Sequence, residues 1–276
     1  MGRDVKFTFV TDRPRVSDQE ANLEVLLDGV AAASGDTVLF GELFLPGYMA
    51  KDDHARLALD VTGDVFGRMK DAARAADKNV IFGFTRRDAD RDGVFFDSAG
   101  LVTRKGKVDW YDKLYLANFG PFEEKLFFDE GERVRLWDID GVKVGPQICY
   151  DVFFPELTKA YALMGADVLV NLSCSPNVSR PLFETLFPAR AIETGCFFAY
   201  CNLAGTQEDL VCWGGSQLWG PRGDLKVRAP YYDPSVVDYE FDLAEAESAR
   251  PLRPVARDTR LGMVEALRRA LKRRQR

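Results

Sequence analysis

Short apolar runs rich in β-branched and aromatic residues recur along this chain, and longer segments of helical period fill the gaps between them. That repeated exchange between two periods predicts an α/β fold, because each strand is followed by chain that can return as a helix across the sheet. Strands are expected near Val5 to Val10, Thr37 to Phe40, Val80 to Thr85, Val94 to Leu101, Val142 to Ile148, Val168 to Leu172 and Phe197 to Asn202. Leu23, Leu26, Leu27 and Val30 recur at helical spacing after the N-cap candidates Ser17 and Asp18, and Gly35-Asp36 supplies the stop. Phe66, Met69 and Ala73 mark a second helix, and Leu157, Tyr161 and Met164 a third. No repeat, low-complexity tract or flexible linker divides the chain, so one domain over residues 1–276 is expected, with a basic C-terminal tail from about residue 257.

Charge and composition narrow the chemistry. Acidic residues outnumber basic ones to leave a net charge of -6, which disfavours adhesion to nucleic acid or to an anionic membrane. No run approaches the ~20 apolar residues of a membrane span. The five cysteines form no CxxC pair, which suits reduced thiols in a cytoplasmic protein. A lone histidine, His54, removes a Ser-His-Asp triad and leaves a His-rich zinc site short of ligands. From Arg257 the tail carries eight basic and two acidic residues, so +6 stands against -12 in the remainder. Its Leu261, Val264, Leu267 and Leu271 form a helical stripe, for which the arginines are the solvated face; docking on the acidic body or on a second subunit is the alternative, and an anionic partner a minor one.

Reactive groups must then be sought elsewhere. Cys149 ends the apolar run Val142 to Ile148 and is followed by Tyr150-Asp151 and, through Phe154-Pro155-Glu156, by a helical pattern, which places it at a strand-to-helix elbow. Backbone N–H groups at such an elbow can favour a thiolate and hold an oxyanion, although an isolated strand-end cysteine is more often plain core. A thiol is mostly protonated at neutral pH and needs a base. Glu42 is the candidate, since it follows Thr37 to Phe40 and precedes Leu43-Phe44-Leu45, apolar company that would raise its basicity. Lys113 lies among aromatics in Trp110 to Phe128, with Glu124 in the same loop; an ammonium can hold an oxyanion, and a second carboxylate can orient it.

Taken in order, Gly41 to Tyr48, Tyr111-Asp112-Lys113-Leu114 and Cys149-Tyr150-Asp151 through Glu156 resemble the three motifs of the nitrilase superfamily, whose members use a Glu-Lys-Cys triad on carbon–nitrogen bonds. Asn171-Leu172-Ser173 and Arg190 to Glu193 resemble later segments of that family, with Thr194 where an asparagine is usual. Within it, Leu116 to Lys125, Asn202 to Val211 and Gly214-Gly215-Ser216 are most similar to the glutaminase domain of glutamine-dependent NAD synthetases. Phe119 departs from the tyrosine of those glutaminases, and no Ser-Gly-Gly-x-Asp-Ser type loop is present, so NAD synthesis by this chain alone is not expected.

The resemblance implies a four-layer α-β-β-α sandwich and subunits that pair into a homodimer or higher homo-oligomer. It assigns Glu42 as base, Lys113 and the Tyr150 N–H as oxyanion donors, Cys149 as nucleophile and Glu124 as the group that positions Lys113 or the substrate. Phe119, Tyr150 and Ser175 would contact the substrate. The function it implies is hydrolysis of a small-molecule amide through a thioester, with no metal or organic cofactor. A glutaminase subunit that passes ammonia to a separate synthetase is the narrower alternative, and a non-catalytic or ligand-binding member of the fold a further one.

Overall fold

The computed structural model describes residues 3–274. The first half of the chain lays down β1 (Asp4–Thr11), α1 (Gln19–Ala32), β2 (Thr37–Phe40), the short α2 (His54–Leu57), α3 (Asp64–Ala76), β3 (Asn79–Arg87), β4 (Phe95–Val102) and β5 (Val108–Asp112). The second half adds β6 (Trp137–Ile139), β7 (Val142–Ile148), α4 (Pro155–Met164), β8 (Val168–Ser173), α5 (Arg180–Thr194) and β9 (Phe197–Asn202). A hairpin of β10 (Ala204–Gln207) and β11 (Leu210–Trp213) follows, then β12 (Gln217–Trp219) and β13 (Leu225–Arg228). Finally β14 (Ser235–Asp242) returns to pair antiparallel with β1, ahead of α6 (Ala244–Leu252) and α7 (Leu261–Arg274).

Two six-stranded sheets result, ordered β14-β1-β2-β3-β4-β5 and β13-β12-β9-β8-β7-β6. Side chains alternate across a strand, and that alternation builds the layers. Leu39 joins Phe7, Phe9 and Ile81 in the core shared with β7, β8 and β9, whereas its neighbours Val38 and Phe40 pack with Leu23 and Leu26 of α1 and Phe66 and Met69 of α3. On the far side, Phe183 and Phe187 of α5 and Leu157 and Tyr161 of α4 cover the second sheet. The fold is therefore the expected α-β-β-α sandwich. Burial of each such side chain contributes roughly 1.5–3 kcal/mol before chain entropy is set against it.

The predicted helices form, with Asp18 capping α1 by accepting from the Ala21 N–H at 3.2 Å. Met164, which marks the third helix in the sequence, is the last residue of α4: Gly165 turns left-handed at φ 84°, and the methionine is 45% exposed. β14 lies outside the predicted runs because it is an edge strand, and Asp238 and Glu240 interrupt its apolar pattern. The tail helix α7 forms as expected, yet no residue of it is buried, and Leu261, Val264, Leu267 and Leu271 are each at least half exposed. The Glu265–Arg269 pair lies along its exposed face, and its apolar stripe meets no core. No helix among the described residues is long and apolar enough to cross a membrane.

Strands β1, β2 and β3 run parallel, as do β7, β8 and β9, so the carboxyl ends of each set open into loops at one end of its sheet. Ligand sites in parallel α/β sheets form at such ends. Glu42 follows β2, Cys149 follows β7, Cys174 and Ser175 follow β8, and Lys113 follows β5.

Candidate active site

The turn after β2 is shaped by a close backbone approach. A Cβ on Gly83 of β3 would lie 2.2 Å from the Leu43 nitrogen, so only glycine lets the strand pass the Gly41–Leu43 turn. The Gly83 N–H donates to the Gly41 carbonyl, and Leu43 adopts φ 46°. Glu42 is thereby aimed inward with no exposed surface. One carboxylate oxygen accepts from Lys113 Nζ at 2.6 Å and the other from the Cys174 N–H at 2.6 Å.

Lys113 is equally buried and bridges three acids. Its Nζ lies 2.6 Å from Glu42 Oε1, 2.8 Å from Glu124 Oε1 and 3.3 Å from Asp97 Oδ2. Burial opposes its charge, but Glu124, Glu42 and Asp97 overcome that opposition and hold the ammonium well above the usual lysine range. Glu124 also accepts from the Tyr48 hydroxyl at 2.7 Å and from the Ala117 N–H at 2.8 Å. Burial pushes the Glu124 carboxyl up, the Lys113 ammonium pulls it down, and Glu42 adds to the rise. The carboxylate oxygens of Glu42, Asp97 and Glu124 lie within 4.8 Å of one another, a spacing suited to a cation, and the Lys113 ammonium lies within 3.3 Å of all three groups. Two ionised carboxylates that close repel by roughly 3 kcal/mol even at an effective dielectric of ~20.

Cys149 sits at the predicted elbow in a left-handed conformation, φ 42°, an unfavourable backbone state for a residue with a side chain. Asp151 holds that bend, accepting from the Ile148 N–H at 2.9 Å, the Tyr111 hydroxyl at 2.7 Å and the Tyr115 N–H at 3.0 Å. The same carboxyl thus ties the cysteine turn to the strand and loop on either side of Lys113. Burial pushes the Asp151 carboxyl up to about 7, against those three donors. The Cys149 thiol, 6% exposed and 3.6 Å from Ser175 Oγ, is driven well above the ordinary thiol range by burial and then by Glu42; Lys113 acts the other way. Such a thiol is neutral until a base takes its proton.

Outside the thiol lies a cavity of about 290 Å³ lined by Phe119, Phe122, Tyr150, Phe153, Leu182 and Phe183, with Cys149 on its wall. No charged side chain is among its lining residues. Phe119 is half exposed and packs on Tyr150 with ring centroids 4.9 Å apart, so both expected substrate contacts lie on this wall. Ser175 instead lies wholly buried against the thiol, its N–H held by Asn202 Oδ1 at 2.9 Å. Glu42, Lys113, Glu124 and Cys149 are brought together. Cys174 touches Glu42 through its backbone N–H.

Asp97, Tyr48 and Asp151 escaped the sequence reading as site residues. Asp97 lies inside the strand Phe95–Val102, where an acidic residue on a buried face is itself a signal. His54, the one histidine, has both ring nitrogens engaged: Nε2 faces the Tyr48 carbonyl at 3.2 Å, so it carries the proton, and Nδ1 accepts from Thr85 at 2.9 Å. Burial lowers its pKa to about 4. A histidine depressed in the folded state contributes stability that is complete above pH ~6.5 and lost as pH falls through ~4, about 3 kcal/mol in all. The single imidazole resonance in an NMR titration should therefore stay neutral to about pH 4. A midpoint at the ordinary histidine value would contradict this burial.

A sequence model of carbon–nitrogen hydrolases matches residues 10–251. The (R)-stereoselective amidase of a Pseudomonas species is 32% identical over 262 residues, covering 93% of this chain and 92% of that protein. The glutamine-dependent NAD(+) synthetase of Thermotoga maritima is 30% identical over 250 residues, 87% of this chain; the match spans only 42% of the synthetase's length. Among solved structures, the amidase from Nesterenkonia sp. AN1, as a double mutant in complex with acrylamide, superposes with a TM-score of 0.83 at 25% identity, covering 95% of this chain and 97% of that one. A mutant of the same amidase, with a TM-score of 0.80 at 26% identity over 95% of this chain and 96% of that one, carries the acetamide moiety of fluoroacetamide on its active-site cysteine.

Proposed function

The chain belongs to the carbon–nitrogen hydrolase family, and from that premise we propose that it is a thiol amidase acting on small, uncharged amides through a Glu42-Lys113-Cys149 triad. The observation that carries this reading is the buried Lys113 ammonium bridging Glu42 and Glu124 beside a neutral thiol that opens onto an apolar cavity. Glu42 takes the Cys149 proton, and the thiolate attacks the amide carbon. The Lys113 ammonium and the Tyr150 N–H receive the developing oxyanion. Glu42, now an acid, protonates the leaving amine as the carbon–nitrogen bond breaks, and a thioester remains on Cys149. Water gives its proton to Glu42 and attacks the thioester; collapse releases the acid and returns the proton to the thiolate. Glu124, tied to Tyr48 and Ala117, holds Lys113 at the carbonyl rather than exchanging protons with the thiol.

Amide identity follows from the cavity lining. Phe119, Phe122, Phe153 and Phe183 offer apolar area and no partner for a charge, whereas glutamine brings both an ammonium and a carboxylate. An unpaired polar substrate group costs ~1–3 kcal/mol, and an unpaired charge more. A glutaminase that feeds a separate synthetase is the second reading, favoured by similarity to the synthetase and opposed by this wall. Ammonia release from phenylacetamide, isobutyramide and glutamine separates the two. The kcat/KM of at least one uncharged amide should exceed that of glutamine by about 10-fold or more, the scale of one unmet polar contact. A glutamine kcat/KM above that of every uncharged amide would reverse the assignment.

A further inference from the structure

Asp97 is the one member of the buried acid cluster with no hydrogen-bond donor. Glu42 receives the Lys113 ammonium and the Cys174 N–H, and Glu124 receives the same ammonium, the Tyr48 hydroxyl and the Ala117 N–H. Both Asp97 oxygens are buried without a partner, and the Lys113 contact at 3.3 Å does not meet hydrogen-bond geometry. Asp97 is set firmly in place: its carbonyl accepts from the Lys113 N–H at 2.9 Å, and on its other flank its register partner on β3 is Thr85, whose hydroxyl serves His54. The groups that face it are Glu42 from the turn after β2, Lys113 from the end of β5 and Glu124 from the loop beyond, with Cys149 past them.

An ionised carboxylate accepts and cannot donate, so a donorless Asp97 beside two better-served carboxylates is the member that keeps a proton. We propose that Asp97 stands as a neutral carboxylic acid whose hydroxyl donates to Glu42, and that it serves as a positioning residue that fixes the base and limits the charge seen by the nucleophile. Burial, and then Glu42 and Glu124 against Lys113, raise the Asp97 carboxyl well above the usual range, in accord with that placement. The inference rests on Glu42 being the base. With Asp97 neutral, transfer of the thiol proton to Glu42 leaves the new thiolate facing one carboxylate and one ammonium, which cancel. With Asp97 ionised, the thiolate faces a net negative charge and forms less readily, so activity should fall as pH rises through the Asp97 ionisation.

Difference infrared spectroscopy and pH–rate profiles on the whole chain test this together. The neutral-pH spectrum should contain a protonated-carboxyl band that Asp97→Asn removes, while the Asp151 contribution stays. Asp97→Asn keeps a donor toward Glu42, so it should stay within about 10-fold of the parent kcat/KM and lose the alkaline limb, whereas Asp97→Leu should fall about 100-fold, the scale of a lost hydrogen bond to a charged group. An unchanged band, or the same alkaline limb in Asp97→Asn, overturns the proposal. Full activity in Glu42→Gln would instead overturn the assignment of the base and leave the infrared result to judge Asp97 by itself. Should Asp97→Asn not fold, carboxyl ¹³C shifts of labelled aspartate in the parent chain decide: a protonated side chain besides Asp151 at neutral pH supports the proposal, and none overturns it.

Discussion

Replacing Cys149 by alanine should abolish amide turnover while the protein still folds and melts within a few degrees of the parent. The chemical argument is that no other thiol can take over. Cys196 and Cys201 are buried and donate to the carbonyls of Ala166 and Leu39, and burial pushes both up. Cys174 reaches Glu42 only through its N–H, and its own thiol is buried and driven up, first by burial and then by Cys212. Loss of a nucleophile removes the thioester route outright, so the expected fall is on the order of 10⁴-fold or more in kcat. The stability cost should be small, since a single atom is removed from a side chain on a cavity wall and the left-handed turn at φ 42° is still held by Asp151. Steady-state ammonia release and a thermal melt read the two arms. Full turnover by the folded variant would end the thiol mechanism, and a misfolded variant would be replaced by Cys149→Ser, which stays close in shape and puts a far weaker nucleophile in place of the thiol.

How far the sequence carried this result depended on which residues announce their environment. The strand Thr37–Phe40 and the elbow at Cys149 are legible because an apolar run stops abruptly at a reactive residue, and Glu42 is legible because a carboxylate among Leu43, Phe44 and Leu45 has little reason to be there. Lys113 carries no such mark of its own and gains meaning only from its order between the other two. Asp97 is half legible: an acid among Phe95, Phe96, Ser98 and Ala99 is unusual, but its role depends on cross-strand register with Lys113. Register is set by pairing between segments and leaves no local trace. The tail shows the opposite failure. Leu261 to Leu271 has the period of a packed helix, forms the helix, and finds no partner surface, because periodicity reports which face is apolar and not what covers it.

Glu42→Gln and Lys113→Met should each cost several orders of magnitude in kcat/KM, and the double variant should lose little more than the worse single one. Either change breaks the same object, since Lys113 Nζ donates to Glu42 at 2.6 Å with neither side chain exposed. Glutamine cannot take the Cys149 proton, which removes ~10²–10⁴-fold for general-base catalysis and leaves a neutral thiol that burial has made hard to ionise. Methionine fills the lysine's space without a charge, so the oxyanion loses its donor, worth about 10²–10³-fold, and Glu42 and Glu124 are left as buried carboxylates without their shared counter-ion. The second loss also carries a stability penalty of ~3–5 kcal/mol, the scale for removal of one partner from a buried ion pair, so Lys113→Met should melt lower than Glu42→Gln. Kinetics must therefore be read below the melting transition of the weaker variant. Mass spectrometry after a pulse of reactive ester separates the roles further: the Glu42 variant should acylate slowly and deacylate slowly, because one carboxylate serves both half-reactions. Two effects that simply multiply in the double variant would mean that Glu42 and Lys113 act on different steps at different places, and the shared-site mechanism would not stand.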